Sequence, residues 1–146
     1  MFTSCAEPEI YAPGGGLAVF TVAGWRCGLA ICMDLRFPRL FEAYRRCKGT
    51  DLILVPCNWV TGQNKPEILN ALVRARAHET QSFVVAVDRA GADPNAAYHG
   101  MSVMANPYAE DRARRDGPYT FATLDGAQAR ELRAALPLDS FRASYA

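Results

Sequence analysis

Cys32 ends an apolar run, Gly28-Leu29-Ala30-Ile31, and is followed at once by Met33-Asp34-Leu35-Arg36-Phe37-Pro38. This order reads as a strand, a sharp turn and a helix. A thiol on such an elbow is held rigidly at the C-terminal edge of a sheet, beside the backbone N–H groups that open the next helix, which favour a thiolate. That is a place for a nucleophile. Cleavage of an amide by a thiol needs a base, donors aimed at the developing oxyanion and an acid for the departing amine. Cys32 and the N–H of Met33 offer the nucleophile and one donor.

Other polar residues have milder readings. Asp34 and Arg36 flank the elbow and suit a helix-start cap and a surface ion pair, or a pair that orients the turn. Asn58 and Trp59 follow a strand end, where ligands are met in an open α/β sheet, although Trp59 equally suits ordinary core. Arg74, Arg76 and Glu79 share a helix on which they can form spaced ion pairs. His78 and His99 are the two histidines and read as hydrogen-bonded structural residues, with no metal cluster. Cys32 with His99 as its base is a further scheme, because such partners meet only in the fold.

The elements that must position Cys32 follow from the pattern. Residues 17–22 and 26–31 read as strands joined around Ala23-Gly24-Trp25, a hairpin signal. Pro38 suits the first turn of a helix over 38–48 that Gly49 stops. Residues 51–56 and 82–87 are short, evenly apolar and therefore buried strands. Between them, apolar residues at Ile68, Leu69, Leu72, Val73 and Ala75 predict the longest helix, 66–81. A loop over 91–95, strand-like stretches at 101–105 and 119–124, and a helix capped by Asp125 and ended by Pro137 complete the chain. Residues 7–16, with two prolines and three glycines, read as irregular. Strands alternating with helices, with hairpins mixed in, predict a mixed α/β architecture in one domain.

Composition sets the outer limits. A chain of 146 residues, half of them hydrophobic, can bury a substantial core, and a formal charge of +1 leaves no basic footprint for nucleic acid. No apolar run is long enough to cross a bilayer and residues 1–7 lack a signal-peptide pattern, so the expectation is a cytoplasmic protein without membrane contact. Five cysteines without CxxC spacing argue against disulfides and zinc. They are expected to be free thiols, with Cys27, Cys47 and Cys57 as small buried hydrophobes.

Four ordered stretches resemble the carbon–nitrogen hydrolases, the nitrilase superfamily. They are residues 28–38 around Ile31-Cys32-Met33-Asp34, Leu54-Val55-Pro56-Cys57-Asn58-Trp59, residues 74–86 around Arg76-Ala77-His78-Glu79, and Tyr98-His99-Gly100-Met101-Ser102 with Asn106-Pro107. The resemblance implies an α/β chain forming part of a four-layer α/β/β/α sandwich with mixed sheets. It also implies hydrolysis of a non-peptide C–N bond, usually an amide, through a cysteine thioester, with no cofactor. Cys32 matches the nucleophile of the family's Glu, Lys and Cys set. Glu7 stands in a stretch, before Pro13-Gly14, resembling the one where members carry a second Glu. Met33, Asn58 and Trp59 match the substrate pocket. Met33 replaces a common Tyr, and Arg39 stands where a Glu often follows the proline.

In the family the lysine comes shortly before a Leu-Phe pair that corresponds here to Met1-Phe2, and the base Glu comes earlier still; neither Lys48 nor Lys65 matches. The likeness therefore places residues 1–146 as the C-terminal portion of a carbon–nitrogen hydrolase domain with an incomplete catalytic set, inactive or very slow by itself. The expected substrate is a small carboxylated or carbamoylated amide. The alternative is a non-catalytic member that keeps only an association surface. Half a sandwich would expose apolar surface and strand edges, favouring a homodimer or larger homo-oligomer.

Overall fold

A computed structural model describes residues 7–141. Cys5 and the Met1-Phe2 pair lie outside the described residues. A short helix, α1 (Glu7–Ile10), occupies part of the stretch expected to be irregular. Next comes a hairpin of β1 (Ala18–Val22) and β2 (Trp25–Leu29), antiparallel with Val19 opposite Gly28. Ala23 and Gly24 take φ of +47° and +82° at its tip. Two consecutive left-handed residues give the turn whose twist matches a two-residue hairpin.

From β2 the chain passes through a 3-10 turn at Cys32–Arg36 into α2 (Pro38–Ala43), which continues as a π turn over Tyr44–Lys48. The expected helix over 38–48 is thus present, but its last turn is wider than an α turn. Gly49, at φ +56°, ends it by receiving the left-handed backbone that stops a helix. Then follow β3 (Leu52–Cys57), the long α3 (Lys65–Thr80) and β4 (Phe83–Asp88). Of the loop expected at 91–95, Gly91 and Ala92 pair instead in a small ribbon, β5 (Ala90–Ala92) with β6 (Ala97–His99), and only 93–95 lie at its tip. Next are β7 (Val103–Ala105), a second ribbon of β8 (Arg114–Asp116) with β9 (Tyr119–Phe121), and α4 (Gly126–Ala135). Asp125 caps α4 by accepting the Ala127 N–H at 2.9 Å, as the sequence suggested.

The main sheet has the order β1-β2-β3-β4-β7. β2, β3 and β4 run parallel, and the two outer strands antiparallel to their neighbours. One face carries Gly28, Ala30, Ile53, Val55, Val84 and Ala86 against Phe41 and Tyr44 of the first helical segment and Leu69, Val73 and Ala77 of α3, all buried. The other face is thinly covered. Phe20, Val22, Leu29 and Val87 are exposed there, while Trp25 packs edge-on against Phe83. α4 sits at the end where β3 and β4 begin: Arg133 donates to the Thr50 carbonyl, and Gln81 to that of Leu136. Among the described residues no helix is long and apolar enough to cross a membrane.

Close packing of β2 on Tyr44 fixes where the strand ends. The Tyr44 hydroxyl donates to the Leu29 carbonyl and accepts the Ala18 N–H at 3.2 Å. A Cβ at Gly28 would stand 2.8 Å from the Tyr44 ring. Gly28→Ala is therefore expected to destabilise the fold by about 1–3 kcal/mol through overpacking, read as a lowered urea midpoint.

Candidate active site

Three strand ends meet at one edge of the sheet. β2 leads to Cys32, β3 ends at Cys57 and β4 ends at Asp88, because the three strands run in the same direction. Cys32 adopts φ +39°. A left-handed backbone at a residue with a side chain costs on the order of 1–2 kcal/mol, so the surroundings must hold it. Asp34 accepts the Ile31 N–H at 2.8 Å and sends its own N–H back to the Ile31 carbonyl at 2.8 Å, closing the turn from both sides. Arg76, buried on α3, donates to the Leu35 carbonyl at 3.0 Å and pairs with Glu79. The expected cap at Asp34 is present. The Asp34–Arg36 ion pair is not, because Arg36 turns to lie 4.2 Å over the Trp59 ring and donates to the Met33 sulfur. Arg74 likewise bonds the Ala109 carbonyl instead of Glu79.

Cys32 is half-buried and free, and its thiol is lowered from 9.0 to about 6. The largest cause is a hydrogen bond from the Cys57 thiol; the Asn58 N–H and the Arg36 charge act in the same direction, while burial and Asp88 oppose them. A thiol lowered in this way is more ionised at neutral pH than an ordinary cysteine. Cys57 moves the opposite way, held above the normal thiol range by donating to Cys32 and by burial. The Met33 N–H begins the 3-10 turn, where no preceding carbonyl of the turn is available to it.

Asp88, buried at the end of β4, shapes the wall of the site. Its carboxylate accepts the Trp59 N–H at 2.8 Å and the Gly100 N–H at 3.0 Å, and its own N–H meets the Ser102 hydroxyl. Asn58 is exposed beside Cys32, and Trp59 is buried with its indole N–H on the Lys65 carbonyl. The Lys65 ammonium stands 5.4 Å from the Trp59 ring centre, so two cations flank one indole. Glu7 begins α1, but its side chain lies outside the described residues. His78 faces the Pro107 carbonyl at 3.0 Å, and His99 is exposed on β6 opposite Ala90. Two shallow hollows, of about 270 and 430 Å³, are lined by residues of the 111–123 region and of α3; Cys32 lines neither.

A model of the family described as carbon-nitrogen hydrolase matches residues 3–134. The chain belongs to the carbon–nitrogen hydrolase family. It is 41% identical over 104 residues to a deaminated glutathione amidase of Yersinia enterocolitica, covering 68% of this chain and 35% of that protein. It is 32% identical to an omega-amidase of Bos taurus, covering 94% of this chain and 50% of the other. Among solved structures, a CN-hydrolase superfamily protein of Xanthomonas campestris with an arsenic adduct in its active site superposes with a TM-score of 0.81 at 29% identity, over 99% of this chain and 57% of that one. The chain thus spans about a third to a half of the length of the curated relatives it matches. The mixed α/β fold is that of the family.

Within this carbon–nitrogen hydrolase fold, two polar neighbours of Cys32 escaped the sequence reading. Cys57 is buried as expected of a small hydrophobe, but its thiol is also the largest influence lowering that of Cys32. Asp88 had a signal: it ends the apolar run 83–87 just as Cys32 ends its own. Cys47, expected to be buried, is exposed on the π turn, whereas Cys27 and Cys57 are buried and all four described cysteines are free. Among the described residues no group of three or more His, Cys, Asp or Glu could hold a metal ion.

Alkylation of Cys32 by iodoacetamide, followed by mass spectrometry, is expected to rise with an inflection near pH 6. Because the Arg36 charge favours the thiolate, Arg36→Gln should move that inflection to higher pH. Asp88→Asn, which removes an opposing negative charge, should move it lower.

Proposed function

We propose that this chain carries the nucleophilic part of a site that hydrolyses small amides. Cys32 Sγ attacks the carbonyl carbon, the C–N bond breaks, the nitrogen leaves as ammonia after taking a proton, and water then hydrolyses the thioester. The observation that carries this reading is the half-exposed Cys32 at a left-handed elbow beyond the strand end, where the next turn begins and where the Cys57 thiol, the Asn58 N–H and Arg36 favour its thiolate. In this reading the Met33 N–H is one oxyanion donor, Asn58 and Trp59 form the pocket wall, and Glu7 is an accessory carboxylate.

Relatives named as an omega-amidase and a deaminated glutathione amidase support an amide as substrate. Arg36 and Lys65 beside Trp59 suit an amide that also bears a carboxylate. The general base and the ammonium group that the family uses are then contributed by residues outside 1–146, in the same polypeptide or from a partner chain. Residues 1–146 act as the C-terminal portion of the hydrolase domain and turn over little by themselves.

Ammonia release from monoamides of short dicarboxylic acids tests the proposal. The sequence joined to the residues encoded in frame upstream should be active, and Cys32→Ala should reduce its rate at least about 1000-fold. The 146-residue chain alone should run at less than about one hundredth of that rate, as expected when groups that stabilise the transition state are missing. Unchanged turnover after Cys32→Ala would overturn the assignment.

A second reading, association without catalysis, draws on the apolar residues exposed on the open sheet face, Phe20, Val22, Leu29 and Val87. Under it, sedimentation shows dimers or larger species, and neither form of the protein releases ammonia. A monomer at high concentration would count against it.

A further inference from the structure

The parallel pairing of β2 and β3 places Leu29 opposite Leu54, and the Ala30 N–H continues the ladder to the Leu54 carbonyl at 3.0 Å. Carried on in the same register, Cys32 falls opposite Cys57. Neighbouring strands lie about 4.8 Å apart, inside the Cα separation of about 4.4–6.8 Å that a disulfide spans. Cys32 packs against the buried cluster that includes Cys57, and the Cys57 thiol is near enough to lower the Cys32 thiol by donating to it.

The single thiol proton of Cys57 has two acceptors in reach, the Val55 carbonyl at 3.5 Å and the Cys32 sulfur. When Cys32 is a thiolate, the charged acceptor wins. A sulfur that reacts easily thus stands half-exposed, with a second sulfur behind it that is shielded from solvent.

We propose that Cys32 and Cys57 form a reversible oxidation site, in which a hydroperoxide oxidises Cys32 and Cys57 captures the product as an intramolecular disulfide. In the first step the Cys32 thiolate takes the distal oxygen of the hydroperoxide, giving a sulfenic acid and, with a proton from solvent, water or an alcohol. In the second, the Cys57 sulfur attacks the Cys32 sulfur, and the hydroxyl leaves with the Cys57 proton as water. Two electrons pass from the cysteine pair to the peroxide. A dithiol returns both residues to thiols. Because the disulfide takes up the proposed nucleophile, it silences the site; because it forms before further oxidation, it keeps Cys32 from the irreversible sulfinic state.

The test needs no amide substrate, so it stands or falls apart from the proposed hydrolysis. The 146-residue protein is treated with a small excess of hydrogen peroxide, blocked with iodoacetamide and digested without reduction. The expected product is a peptide pair lighter by two hydrogens than its separate parts, with fragments that place the link between Cys32 and Cys57 and not on Cys27. Dithiothreitol should release it. In Cys57→Ser the link is lost and Cys32 sulfinic acid accumulates at least about tenfold faster; Cys57→Ala provides the same comparison should the serine variant fold poorly. Sulfinic acid building up on Cys32 of the unaltered protein at the rate seen in either variant, or a link formed elsewhere, would overturn the proposal.

Discussion

The parallel pairing of β2, β3 and β4 is the constraint on which the site depends. Strands that run the same way finish at the same edge, and each of these three is followed or ended by a residue with chemistry: Cys32, Cys57 and Asp88. An antiparallel arrangement would have sent one of them to the opposite edge, where α4 docks through Arg133 and Gln81. The long helix α3 makes the parallel β3-β4 crossover possible and also reaches the elbow itself through Arg76.

The elbow is a local conflict resolved by its surroundings. Left-handed backbone is unfavourable at Cys32, yet the turn is closed from both directions by Asp34 and held at Leu35 by a buried guanidinium. The Cys57 thiol and the Asn58 N–H both lower the Cys32 thiol, and together with the Arg36 charge they outweigh burial and the Asp88 charge. Asp88 contributes in another way, by anchoring the backbone at Trp59 and Gly100 so that two loops keep their places beside Cys32.

The sheet is asymmetric in its two faces. Helices cover one, and on it even the glycine at position 28 is needed for a close approach to Tyr44. The other keeps Phe20, Val22, Leu29 and Val87 in contact with solvent. Cys32 packs against the core on the covered face while staying half-exposed at the end of the strands.

Much of this architecture was legible in the residues. The apolar runs at 51–56 and 82–87, the helical spacing over 66–81 and the stops at Gly49 and Pro137 mark elements that form within a residue or two of those positions, because local periodicity and backbone preference act over a few residues. The elbow at Cys32 was legible for the same reason. What the sequence could not specify was which residues meet across strands. That Cys57 would touch Cys32, that Arg36 would choose Trp59 over Asp34, and that Asp88 would hold two loops depend on register and on strand direction. Those are settled only when the whole sheet assembles, since each such contact joins residues that are distant along the chain and is stabilised by burial that no single segment provides.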